Sequence, residues 1–217
     1  MRNLTIKNKL LGFTAFLLFG LTFQSCNKDG IPADVLDLLP REFYDELVDN
    51  GFIFNLGETP PNVEEIYLFE PENEYDNSGV FSPGQTASDA KFKIEDQVGN
   101  ALTILIKGWA APGIIDSSNA TIIKGEGDKF TIVAQAYGDI SGNTYIYDYV
   151  LTGELKNNGI KDAQLAFVMI ENNDAFGVAT EGTIRIFKDI DDIASITDTF
   201  RQAATNDKED AKGMLAQ

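Results

Sequence analysis

The chain of 217 residues has no histidine, a single cysteine, Cys26, and a single tryptophan, Trp109. Without histidine there is no imidazole base poised near neutral pH, no Ser-His-Asp or Cys-His triad, and no histidine ligand for zinc. One cysteine makes no disulfide within the chain and no thiolate cluster. Positive charge is scarce as well: 17 Lys and Arg stand against 34 Asp and Glu, a formal net charge of −17. Such a surface repels phosphate backbones and the face of an anionic bilayer, so nucleic acid is not an expected partner. The chemistry left open is that of carboxylates, tyrosine, lysine or an oxygen-ligated metal.

A long hydrophobic run is missing too. The longest weakly polar stretch, residues 10–21, is 12 residues, whereas a membrane-spanning helix needs about 20. Arg2, Lys7 and Lys9 precede it and Ser25-Cys26 follow, the layout of a secretory signal peptide over 1–25 that is cut before Cys26. Its removal takes three cations and no acid, so the net charge moves from −17 to −20. A small residue before the cysteine resembles the lipobox of bacterial lipoproteins, with Phe23 and Gln24 where that pattern has Leu and a small residue. The resemblance implies lipid on Cys26, and several acyl chains at about 0.8 kcal/mol per buried CH₂ make a durable anchor. Lys28-Asp29 resembles part of the surface-export signal of Bacteroidetes lipoproteins, with Gly30 where a second acid is usual. The expected location is the cell envelope, on the outer membrane and facing outward.

Residues 26–33 read as a tether. Over 34–51 the apolar residues Val35, Leu38, Leu39, Phe43, Leu47 and Val48 recur at helical spacing, with Pro40 suited to a first turn and Gly51 to a stop, so one short amphipathic helix is expected. From 52 to 189 the period falls to two. Candidate strands are 52–56, 63–69, 90–95, 101–107, 120–124, 129–137, 144–152, 161–170 and 182–187, joined by turns such as Gly99-Asn100 and Asn157-Asn158-Gly159. Short links favour an antiparallel meander, because parallel crossovers need a dozen residues or more. The predicted fold is mainly β: an antiparallel up-and-down barrel of lipocalin or streptavidin shape, with a β-sandwich as the alternative. The tail over 190–217 is polar, with Ile193, Ile196 and Phe200 near helical spacing, and reads as partly helical or disordered.

The segment Gly57-Glu58-Thr59-Pro60-Pro61-Asn62-Val63-Glu64-Glu65-Ile66-Tyr67 is similar to one in uncharacterised Bacteroidetes cell-envelope lipoproteins with a β-rich, lipocalin-like domain, which usually carry Gly where Glu65 stands. Gly159-Ile160-Lys161-Asp162, Phe167-Val168-Met169 and Gly182-Thr183-Ile184-Arg185-Ile186-Phe187 look like the same group. The resemblance implies an envelope lipoprotein with a β domain and no particular activity.

Tyr145, Tyr147 and Tyr149 share one face of a strand, where aromatics either stack on a flat ligand or pack across strands. Trp109, in Gly108-Trp109-Ala110-Ala111-Pro112-Gly113, falls at a strand end that suits a ligand rim or loop packing. Acidic stretches at Glu70, Glu72, Glu74 and Asp76, at Glu171 to Asp174 with Gly177, and at Asp189, Asp191 and Asp192 could offer oxygens to Ca²⁺, but none has calcium-loop spacing, and solvated turns are the plainer reading. No cofactor and no metal site is expected. Asp148 and Asp162 interrupt apolar strands and are the one conceivable carboxylate pair, although outward-facing positions are the simpler assignment.

These features rank three functions. First is a membrane-tethered binding protein for a small molecule, glycan or envelope partner, tested at Tyr145, Tyr147, Tyr149 and Trp109. Second is a structural or assembly subunit of an outer-membrane complex, and third a carboxylate hydrolase. The chain is not expected to be an enzyme.

Overall fold

The structure, a computed structural model, describes residues 30–108, 115–140, 143–173 and 178–200. Cys26, Trp109, Asp174, Gly177 and the residues after 200 lie outside them.

Two short helices, α1 (Ala33–Leu38) and α2 (Arg41–Asp49), stand where one was expected. The break is local chemistry. A residue before proline is pushed out of the helical region, and Leu39 is extended at φ −115°, ψ 103°. Pro40 then takes the N-cap of α2, its carbonyl accepting from Phe43 and Tyr44 N–H at 3.0 Å each.

The strands among the described residues are β1 (Glu58–Thr59), β2 (Glu65–Phe69), β3 (Pro71–Asp76), β4 (Ala90–Val98), β5 (Ala101–Lys107), β6 (Ile115–Glu126), β7 (Lys129–Ile140), β8 (Asn143–Lys156), β9 (Gly159–Glu171), β10 (Ile184–Asp189) and β11 (Ile193–Ile196). They form one sheet in the order β11-β2-β4-β5-β6-β7-β8-β9-β10-β3, with β1 added parallel to β6. A single sheet replaces the sandwich alternative. Because β11 pairs with β9 as well as β2, and β10 with both β9 and β3, the path returns on itself as a partial ring.

The return is made by bent strands. Only Glu70 separates β2 from β3, and only residues 190–192 separate β10 from β11. One buried carboxylate bridges both bends: Asp189 Oδ2 accepts from Glu70 N–H at 3.0 Å and Oδ1 from Asp191 N–H at 3.3 Å. Burial, and then the adjacent Asp191, push the Asp189 carboxyl up to about 6.

Three segments depart from expectation. Residues 52–56 form no strand; they cross the outside of the sheet as a strap, Asn55 N–H donating to Thr131 Oγ1 at 2.7 Å and Asn55 Nδ2 to Thr152 Oγ1 at 3.0 Å. The Thr131 hydroxyl and, at Ile53, the Gln164 amide oxygen accept the backbone N–H groups that a neighbouring strand would otherwise pair. Of the acidic stretch at Glu70 to Asp76, all but Glu70 is β3, with Pro71 and Asn73 buried and alternating with half-exposed Glu72 and exposed Glu74. The tail's Ile193 to Ile196 is strand, not helix, since β11 fills the gap between β9 and β2.

Two cores lie on opposite faces of the sheet. Inside the ring are Phe69, Phe92, Ile104, Ile132, Leu151 and Leu165 among others. Outside, Val133, Val150, Ala166, Val168, Ile184 and Ile186 are covered by Val35, Leu39 and Leu47 of the helical segment and Phe52 of the strap. Strands buried on both faces lose clean alternation, which is why β8 and β9 carry runs such as Tyr149-Val150-Leu151 and Ala166-Phe167-Val168. Lys124, 4% exposed, fastens the covering layer: its Nζ meets Asp34 Oδ2 of α1 at 2.9 Å and Glu58 Oε2 of β1 at 3.4 Å. Burial works against that charge, yet the two carboxylates outweigh it and hold Lys124 above the usual lysine value.

Candidate functional site

The ring has two ends. At the upper end β5 stops, β6 starts and β8 starts; at the lower end the Asn157-Asn158 turn joins β8 to β9.

At the upper end Tyr145, Tyr147 and Tyr149 face the interior, and all three are buried. Their rings form a ladder, with centroids 6.0 Å apart between Tyr145 and Tyr147 and 5.9 Å between Tyr147 and Tyr149; Phe167 lies 5.1 Å from Tyr147. Space for the topmost ring comes from its cross-strand partner Gly138, where a Cβ would stand 2.2 Å from Tyr145 Cζ. The hydroxyls converge on an acid that sequence reasoning missed. Tyr147 OH donates to Asp116 Oδ2 at 2.7 Å and Tyr145 OH to Oδ1 at 3.3 Å. Asp116 is 3% exposed, and burial raises its carboxyl although the two phenols pull the other way. The Tyr147 phenol is pushed far up by burial and by Asp116. The Tyr149 hydroxyl leans toward Ser118 without closing a hydrogen bond.

Why Asp116 was hidden is a matter of register. Ile123 faces the interior, so a period of two would turn 121, 119 and 117 inward, but a bulge between Ser118 and Ala120 shifts the phase and sends Asp116 and Ser118 in instead. The run Asp116-Ser117-Ser118-Asn119 also reads as turn chemistry. Trp109 falls outside the described residues.

Asp148 is on the opposite face of β8 from the tyrosines, as its parity predicts, but it is not wet. It is 0% exposed, accepts from Gln135 Nε2 at 3.1 Å through Oδ1, and leaves Oδ2 without a partner. Burial pushes its carboxyl up to about 7 against that hydrogen bond. Asp162 is exposed at φ 51°. It lies six residues along β9 from Val168, the cross-strand partner of Asp148, hence roughly 20 Å away at about 3.3 Å per residue. That is too far for a carboxylate pair to share one bond. Among the described residues no three carboxylates are grouped to hold a metal ion.

The lower end is built differently. A wide-mouthed cavity of about 850 Å³ opens there between β2, Asp128 of the β6–β7 turn, the β8–β9 turn and β11. Tyr67 closes its floor, fully buried, with its hydroxyl donating to Val63 O at 3.0 Å. Leu155, Ile193 and Ile196 supply apolar wall, and Asn62, Asn157 and Asn158 supply amides. Its lysines are engaged: Lys156 with Glu154 at 2.6 Å and Asp128 at 3.8 Å, Lys161 with Asp162 at 3.2 Å. Glu64 receives Gln97 N–H at 2.7 Å and Asn62 Nδ2 at 3.4 Å.

No family model, no curated protein and no solved structure matches this chain.

Proposed function

We propose that this chain is a membrane-tethered, extracytoplasmic binding lipoprotein, anchored by lipid on Cys26, whose ring closes as an up-and-down barrel and holds a small ligand at its lower mouth. The barrel reading rests on the bent strands: with β2–β3 and β10–β11 each counted as one, eight antiparallel strand paths succeed one another around the ring. A closed path leaves no long sheet edge to aggregate.

The observation that carries the binding reading is the lower cavity. Its volume of about 850 Å³ falls within the range of ligand sites, and an apolar wall with a few polar groups is their usual composition. Native mass spectrometry of the full chain, purified from the envelope with its lipid, tests it. Wild type is expected to carry a small-molecule adduct that Ile196→Trp, filling the mouth, loses. Adducts identical in both proteins, or absent from both, count against the reading. The anchor has its own test: labelled palmitate should enter the chain and fail to enter Cys26→Ser.

A second reading, a structural or assembly subunit, is favoured by the interior itself. The tyrosine face is packed solid against Phe167 and Asp116 and offers no surface to a ligand. If the native protein co-purifies at fixed stoichiometry with envelope proteins and carries no adduct, this second reading replaces the first.

A further inference from the structure

Resting on the lower mouth as a binding site, we propose that its ligand is a neutral, hydroxyl-rich molecule, a short uncharged oligosaccharide, rather than an anion or a polyamine. The charges decide against an anion first. Both lysines on the wall are already held by carboxylates, Lys156 by Glu154 and Asp128 and Lys161 by Asp162. A phosphate, sulfate or carboxylate on a ligand would meet lysines whose charge is already balanced by paired acids, and would sit beside Glu64 and Glu65. Like charges at that range repel.

A cation is disfavoured for a different reason. Among the acids of the wall, Asp128 is paired with Lys156, and Glu64 keeps its charge but has both oxygens already accepting from Gln97 N–H and Asn62 Nδ2, so a polyamine, which gains most from several open carboxylates, finds one with unoccupied oxygens, Glu65. What the wall does offer freely suits hydroxyl groups. The Asn157 and Asn158 side chains are exposed at the turn and carry both donors and acceptors, and the Glu65 carboxylate accepts. Leu155, Ile193 and Ile196 lie beside them as an apolar surface. A sugar ring has this pairing of properties, with C–H faces for the aliphatic wall and hydroxyls for the amides and Glu65. An open mouth, with no closed pocket around it, fits a chain-like ligand that enters by one end.

Isothermal titration of the full chain with three classes of probe tests the assignment: neutral hexasaccharides of glucose, mannose and xylose, an oligogalacturonate, and spermidine. At least one neutral hexasaccharide is expected to bind. Glu65→Gln combined with Asn158→Ala should weaken it about 10-fold or more, the loss of one or two ligand hydrogen bonds, with an unchanged far-UV spectrum and thermal midpoint. Ile196→Trp should abolish it. If the oligogalacturonate or spermidine binds instead and Ile196→Trp removes that binding, the ligand class is overturned while the mouth remains the site. If no neutral hexasaccharide binds, or its binding is indifferent to all three substitutions, the inference is wrong. An adduct lost on Ile196→Trp in the mass spectrum would then still separate this failure from failure of the mouth itself.

Discussion

The upper and lower ends of the ring have similar residue types and opposite properties. Above, tyrosines and an aspartate turn their polar atoms toward one another and are shut from water; below, a tyrosine, asparagines and carboxylates surround open space. The difference lies in spacing along the sheet. Three tyrosines two residues apart on one strand stack on themselves and are buried, whereas the lower residues come from four separate segments of the chain set around an open mouth. Polar groups satisfied internally stabilise a fold, and those left facing a cavity are available to something else.

Truncating the ladder should separate the two ends most. Tyr147→Ala removes a fully buried ring and is expected to cost about 3–5 kcal/mol, read as a fall in urea midpoint. A loss below about 1 kcal/mol would mean that the upper end is not packed as described. Next in size is a pH effect carried by Asp148. Burial holds its folded carboxyl up at about 7, against 3.8 for a free aspartate, so the folded state keeps a proton that the unfolded chain gives up. The stability this represents is complete below about pH 4 and falls by about 4 kcal/mol as the pH rises to about 7. Asp148→Asn should remove that share of the slope, leaving the part due to Asp189 and Asp116, both also raised by burial; an unaltered slope in urea titrations at pH 4, 5.5 and 7 would refute the assignment.

Smaller again is Tyr147→Phe, which deletes the 2.7 Å donor to Asp116 and keeps the ring. A cost of about 1–3 kcal/mol follows from leaving a buried carboxylate short of a partner, and the loss should shrink in acid, where Asp116 is protonated. The least effect is expected at the mouth: Ile196→Ser, at a position 38% exposed, should change stability by less than about 0.5–1 kcal/mol. A drop as large as that of Tyr147→Ala would make the mouth a second core rather than an opening.

How far the sequence foretold these ends depends on where each residue's partners lie. β4 and β5 were legible because one face is wet, so Phe92 and Ile94 alternate with Lys91 and Lys93, and 101–107 has the same limits in sequence and structure. β3 was hidden by its acids, β11 by being four residues long with isoleucines three apart, and the first half of β6 by a bulge. The tyrosine stripe could be read from a single strand. Asp116 could not, since only pairing through β7 brings β6 within reach of β8. The mouth was invisible for the same reason: residues 62–67, 155–161 and 193–196 meet only when the ring returns on itself.

That return also dictates a timetable. Hairpins from β4 through β9 join neighbours in the chain and can form as soon as each is made, but Leu68 must wait for Ser195, more than a hundred residues later. Closing so large a loop is the slow, entropically opposed step. Until it happens, β2 and β9 each present a raw edge, so the nascent protein is most at risk of joining another molecule in the interval before its last strand arrives.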